Sequence, residues 1–150
     1  MTTGEEAAPL QRTEIDFIVL ADRAEVINGK LYMMGGGWDA LVIPQFPAQV
    51  SFSIAIGILV PWAESNEVSE FMVTIHDGDG ATLTSPFQGR FIPGRPPLSP
   101  KGQPLRTMLV VNQLVPVQHR GLYSVRIQLA SGAVKQVGFS IRSASQPSAV

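Results

Sequence analysis

The chain has 150 residues, of which 45% are hydrophobic and only 15% charged, with no cysteine and two histidines. That length suits one domain able to bury a core without covalent or metal staples, and so apolar a chain is not intrinsically disordered. The missing thiols exclude disulfides, thiolate zinc sites, iron–sulfur clusters and cysteine nucleophiles.

The net charge of −1 hides a division along the chain. Residues 1–80 hold all twelve carboxylates against three cations, a net of −9, whereas residues 81–150 hold eight cations and no acidic side chain. Two arrangements account for this. Either strands from the two halves interleave and their charges pair, or the second half builds a basic face for an anionic ligand or acidic partner.

Met1–Arg12 lacks the basic and apolar regions of a secretory signal. The longest apolar stretch, Val50–Trp62, is shorter than the roughly 20 residues a helix needs to cross a bilayer. The expectation is a cytoplasmic domain over residues 13–142, without membrane insertion, flanked by frayed tails at 1–12 and 143–150.

In chain order the dominant pattern is alternation with a period of two. Glu14–Asp22 sets Ile15, Phe17 and Val19 on one side, with Asp16, Ile18 and Leu20 on the other. Ala24–Ile27 and Lys30–Met34 flank Asn28-Gly29, a pair that accepts the positive φ angles of a type I′ turn. This hairpin places Ile27 opposite Lys30, Val26 opposite Leu31, Glu25 opposite Tyr32 and Ala24 opposite Met33, with Ala24, Val26, Leu31 and Met33 expected toward the core. Gly35-Gly36-Gly37 is expected to break the pairing before a short strand in Trp38–Ile43. In Val50–Val60, bulky Val50, Phe52, Ile54, Ile56, Ile58 and Val60 alternate with smaller residues. Gly57 there suggests close approach of an aromatic ring. Phe71, Val73 and Ile75 point inward on the next strand, and Asp77-Gly78-Asp79-Gly80 turns the chain.

Six of the twelve prolines fall between Pro86 and Pro104, so Pro93–Pro104 is a surface connection. Within it Arg95-Pro96-Pro97-Leu98-Ser99-Pro100 offers a polyproline II reading beside that of a stiff capping loop. Thr107–Asn112 and Leu122–Ala130 supply further strands, and Val137, Phe139 and Ile141 the last inward face. A two-residue loop after Ala130 would misalign these faces, so a bulge or longer turn is expected near Val134–Gln136. No helical period is evident. The fold class is therefore all-β, an antiparallel β-sandwich of eight or nine strands, immunoglobulin-like or related, with little or no helix.

Chemistry-bearing patterns are sparse. Catalysis of the Ser–His kind would have to use His76 or His119, and no nucleophile elbow, zinc-protease or phosphate-loop motif occurs. Asp77–Gly80 lacks the ligand spacing of a calcium loop. No cofactor or metal site is expected, and nucleic-acid binding is disfavoured because few aromatics accompany the cations. The candidate partner contacts are Tyr32, Trp38, Trp62, Arg90, Arg95, Lys101 and Arg106. Ile18, Leu20, Ile27, Tyr32, Met72, Met108 and Val110 are expected to share an outer apolar face, a feature of self-association. The leading expectation is a non-enzymatic binding or assembly domain acting through a protein partner or as a homo-oligomer. The alternative is a small-molecule or carbohydrate module using Trp38 or Trp62.

Three stretches, Leu20–Trp38, Phe46–Trp62 and Gly89–Pro97, resemble a bacterial family of uncharacterised proteins that carries a domain-of-unknown-function label. The resemblance spans about Asp16 to Arg142. It implies one soluble domain and carries no activity, ligand or site residue with it. Gly121-Leu122-Tyr123 is similar to the opening of the last hairpin in immunoglobulin-like sandwiches.

Overall fold

The computed structural model describes residues 10–144; of the tails expected at 1–12 and 143–150, residues 1–9 and 145–150 lie outside the described residues, while Ser143 closes the last strand and Ala144 N–H donates to Ile43 O. Nine strands are formed among the described residues: β1 (Glu14–Ile27), β2 (Lys30–Gly36), β3 (Ala40–Ile43), β4 (Ala48–Val60), β5 (Ser69–Asp77), β6 (Phe87–Phe91), β7 (Leu105–Val117), β8 (Gly121–Leu129) and β9 (Val134–Ser143). A single 3₁₀ turn, Trp62–Glu64, is the helical element among the described residues. One sheet has the order β2-β1-β4-β7 and the other β3-β9-β8-β5-β6. All pairings are antiparallel except β3 with β9.

The core lies between the sheets because every strand reaching it alternates. On β4, Phe52, Ile54, Ile56, Ile58 and Val60 are all at most 1% exposed. They face Val73, Ile75, Val125, Ile127, Phe139 and Ile141 from the second sheet in one apolar cluster. At about 2 kcal/mol per buried side chain, β4 alone contributes on the order of 10 kcal/mol of transfer free energy as an upper bound.

Phe52 and Phe139 meet edge to face across the layers at 5.4 Å, and Tyr123 stacks on Phe139 at 5.8 Å. The Tyr123 hydroxyl donates to the His119 carbonyl, the corner arrangement that pins the start of a sandwich strand. Burial holds the Tyr123 phenol above the usual tyrosine range. The hydrogen bond to His119 pulls the other way, and the Asp77 charge adds to the rise.

Several registers differ from expectation. The β1 alternation shifts at a bulge between Ile15 and Phe17. Ile15, Ile18 and Leu20 therefore belong to the inner side, and Ile18 and Leu20 are core residues instead of outer ones. Phe17 is thrown onto the outer face, where its ring covers Gly57: a Cβ there would lie 2.1 Å from the ring. Gly35 and Gly36 do not end the pairing, since β2 continues to Gly36 opposite Ala21. The longer turn before β9 occurs at Ala130-Ser131-Gly132, where Gly132 adopts a φ of 96° and Leu129 N–H donates to Ala133 O. Val125 thereby faces Val137, and Tyr123 faces Phe139.

The β1–β2 turn forms as its sequence dictates. Asn28 and Gly29 have φ of 52° and 74°, and all four expected residue pairs occur. The hairpin nevertheless leaves the sandwich. Pairing of β1 with β4 stops at Ala21–Ser53, whereas pairing with β2 continues to Ile27–Lys30. Residues 22–36 thus make a two-stranded arm, and Val26 and Met33, expected inside, are 37% and 41% exposed.

Candidate interaction surface

The arm diverges from β4 where the inter-strand ladder is replaced by side-chain bonds. Ala24 N–H donates to Ser53 Oγ at 3.2 Å, and that hydroxyl donates to Asn112 Oδ1 at 2.6 Å. Beyond this anchor β4 has β7 on one side and no strand on the other over Ala48–Phe52. The divergence leaves a groove between Asp22–Glu25 and Tyr32–Met34 of the arm and Ser51–Ser53 of β4.

Apolar side chains occupy both faces of the arm. Val26, Leu31 and Met33 share one face and Ile27, Tyr32 and Met34 the other. Tyr32 is 51% and Met34 71% exposed. A two-stranded ribbon is marginal in water without a third strand or a packing surface, so this arm exposes the groups that such a surface would cover. The signal was present in the sequence: a hairpin apolar on both faces, rather than one, cannot be satisfied by a single core.

The other candidate residues gather at the far end of the molecule, near Trp62. The Arg95 guanidinium lies 3.9 Å above the Trp62 ring, a stacked cation–π contact. Its Nε donates to Ser65 Oγ at 2.5 Å and its Nη2 to Trp62 O at 3.2 Å. Arg106 pairs with Asp16 at 2.6 Å, and Arg90 stands opposite Glu70 across β5 and β6. Lys101 is exposed in the connection after β6. At this end the acidic and basic halves therefore interleave. Glu64, from the acidic half, is also engaged, accepting from the Thr13 backbone and hydroxyl.

Trp38 is half-buried. It packs edge-on against Phe52 and Phe139 at 5.7 and 6.0 Å, and its indole nitrogen is buried without a hydrogen-bond partner. Arg95 occupies one face of the half-buried Trp62. The proline-rich connection is not polyproline II at Pro96–Ser99: Ser99 N–H donates to Pro96 O and Leu98 has a φ of 65°, a tight turn with Pro97 leading. That turn leaves the Leu98 side chain fully exposed.

The expected outer apolar face is divided as well. Met108 and Val110 stand beside Gly57 and Ala55 of β4, next to Phe17 and Val19, and are half-buried. Met72 belongs to the opposite sheet, within an open depression of mixed lining that includes Glu70, Phe71, Arg90 and Leu129. His76 has its ring nitrogens 2.9 Å from Thr74 Oγ1 and 3.2 Å from Gly80 O. Asp77 Oδ1 accepts from Asp79 and Ala81 N–H, as a turn residue does. Among the described residues no group of three or more potential ligating side chains is close enough to hold a metal ion, and no helix is long and apolar enough to cross a membrane.

No curated protein matches the chain. Among solved structures, the CARDB domain of a Pyrococcus furiosus protein, crystallised in complex with di-metal ions, is 11% identical, with a TM-score of 0.40 over 86% of this chain and 96% of that one. A family model matches residues 16–142. Over that nearly complete span of the sandwich, the chain belongs to the DUF6941 family, a family of unknown function.

Proposed function

We propose that this domain is a non-enzymatic binding and assembly module that works through protein–protein contacts, self-association included. The observation that carries the reading is the arm. Val26, Ile27, Tyr32, Met33 and Met34 are each 37–71% exposed on one short ribbon. Val26 and Met33 stand open on one face of the ribbon and Ile27, Tyr32 and Met34 on the other, a clustering of exposed apolar groups that marks an interaction site more than the singly scattered ones of an ordinary surface. The candidate cations support a secondary role at best, since Arg95 and Arg106 are engaged within the chain.

Native mass spectrometry of the protein, purified gently at modest salt, tests the reading. A multimer, or a stoichiometric protein partner lost when Ile27, Tyr32 and Met34 are all changed to Ser, is expected. A bare monomer under these conditions, indistinguishable from the triple variant, contradicts it. A bound small molecule that survives the substitutions would instead favour the ligand-binding alternative.

A further inference from the structure

The assembly reading leaves open which part of the arm is contacted, and by what. The two-residue turn makes Ile27–Lys30 a hydrogen-bonded pair, so Lys30, Tyr32 and Met34 direct their backbone groups to β1. The intervening Leu31 and Met33 then direct theirs away from β1. The Ala24 N–H, which points away from β2 toward Ser53, fits the same alternation. β2 is an outermost strand of its sheet, so these outward groups line an open edge.

Natural sheet edges are blunted by prolines, charges, bulges or brevity. Edge strand β3 has four residues, and β6 has five including Arg90. The remaining edge, β7, is long, but it carries Pro116 and keeps one face packed on the core through Leu105, Val111, Val115 and Val117. β2 is the least protected: seven residues without proline, its one charge at the terminal Lys30, its one irregularity at Gly35 with a φ of 61°, and both faces apolar.

We infer that the β2 edge pairs antiparallel with the β2 edge of a second copy of this chain, around a two-fold axis at Met33, joining the two four-stranded sheets into one. This inference rests on the assembly reading and names its surface and occupant. Three features favour a second copy over an unrelated strand. An antiparallel pair of identical strands is self-complementary, so one patch serves both partners. The arm also carries Asp22 and Glu25 against Arg23 and Lys30, so two copies meet without net repulsion. An axis at Met33 sets Tyr32 of each chain beside Met34 of the other, a favourable sulfur–aromatic contact.

The test compares the full-length wild type with Met33→Pro and Met33→Lys by sedimentation velocity, with circular dichroism as the control for folding. Met33→Pro deletes a donor that faces the second copy while sparing the bonds to β1. Met33→Lys sets two like charges opposite each other at the axis, on a side chain already 41% exposed. The expected result is a wild-type dimer and a folded monomer for either variant, with at least a tenfold rise in the dimer dissociation constant. A dimer that persists unchanged in folded Met33→Lys overturns the edge pairing and leaves the assembly reading standing. A monomeric wild type overturns self-pairing outright, and a different stoichiometric protein on the arm would then identify a foreign partner.

Discussion

Replacing Gly57 with Ala tests how the outer face of the β1–β4 pair is built. A Cβ at this position would sit 2.1, 2.5 and 2.6 Å from three carbons of the Phe17 ring, so the ring has to swing away from the sheet. Phe17 is half-buried, and lifting it exposes on the order of 50–80 Å² of apolar surface, a cost of about 1–2 kcal/mol at 25 cal/mol/Å². Against this, removing glycine from a strand interior returns about 0.5–1 kcal/mol. Gly57→Ala should therefore destabilise by up to about 1.5 kcal/mol, read as a lower urea midpoint at constant slope. In a Phe17→Ala background the obstruction is gone, and the same substitution should stabilise by about 0.5 kcal/mol. The resulting coupling of about 1–2 kcal/mol is large enough to resolve in a double-mutant cycle. Additive effects of the two substitutions would refute the packing argument.

Other parts of the molecule yield sharper signs than magnitudes. Because burial raises the Tyr123 phenol above its unfolded value near 10, the folded state holds the proton more tightly. The stability this gives is fully present below pH 10 and is lost as pH rises through the folded value. Tyr123→Phe should flatten that alkaline loss, and should cost about 1 kcal/mol near neutrality through the bond lost to His119; an unchanged alkaline profile would count against the assignment. Arg95→Ala removes a stacked cation and two hydrogen bonds, so hydrogen exchange should speed up over residues 93–104 and the Trp62 fluorescence should change. If neither moves, the connection is held by other contacts. The exposed Arg106–Asp16 pair is worth at most about 1 kcal/mol, and the cost of Arg106→Ala, measured by urea unfolding, should vanish in high salt.

The parts of the fold legible in the sequence were those decided by strict periodicity. β4 reads from its own alternation because both its neighbours and the opposite sheet demand bulky side chains every second residue. The Asn28-Gly29 register reads from turn chemistry alone, since positive φ at both positions admits few arrangements. The ring over Gly57 was visible as a small residue in a bulky strand, although the identity of Phe17 was not. What failed was long-range. A bulge of one residue at Asp16 exchanges the faces of β1, and nothing in Ile15–Leu20 marks it. The hairpin pattern fixes which residues share a face but says nothing of whether that face meets a core, so Val26 and Met33 read as buried. Apolar residues on both faces of the hairpin were the arm's one mark in the sequence, and its extent follows from the end of β1–β4 pairing at Ala21–Ser53. Trp38 and the arginines could be recognised as chemically distinctive, yet their partners Phe52, Phe139, Trp62 and Asp16 lie up to about a hundred residues away.

Hydrogen exchange of the wild-type arm on dilution shows whether a second copy covers it. Amides of Arg23–Met34 are to be followed by mass spectrometry, first in concentrated protein and then in protein diluted until its native mass is that of the 16.1 kDa chain. Self-pairing of the arm protects this segment in concentrated protein and loses that protection on dilution, while β4 and β8 stay protected at both concentrations. Equal and rapid exchange of the arm at both concentrations would contradict it.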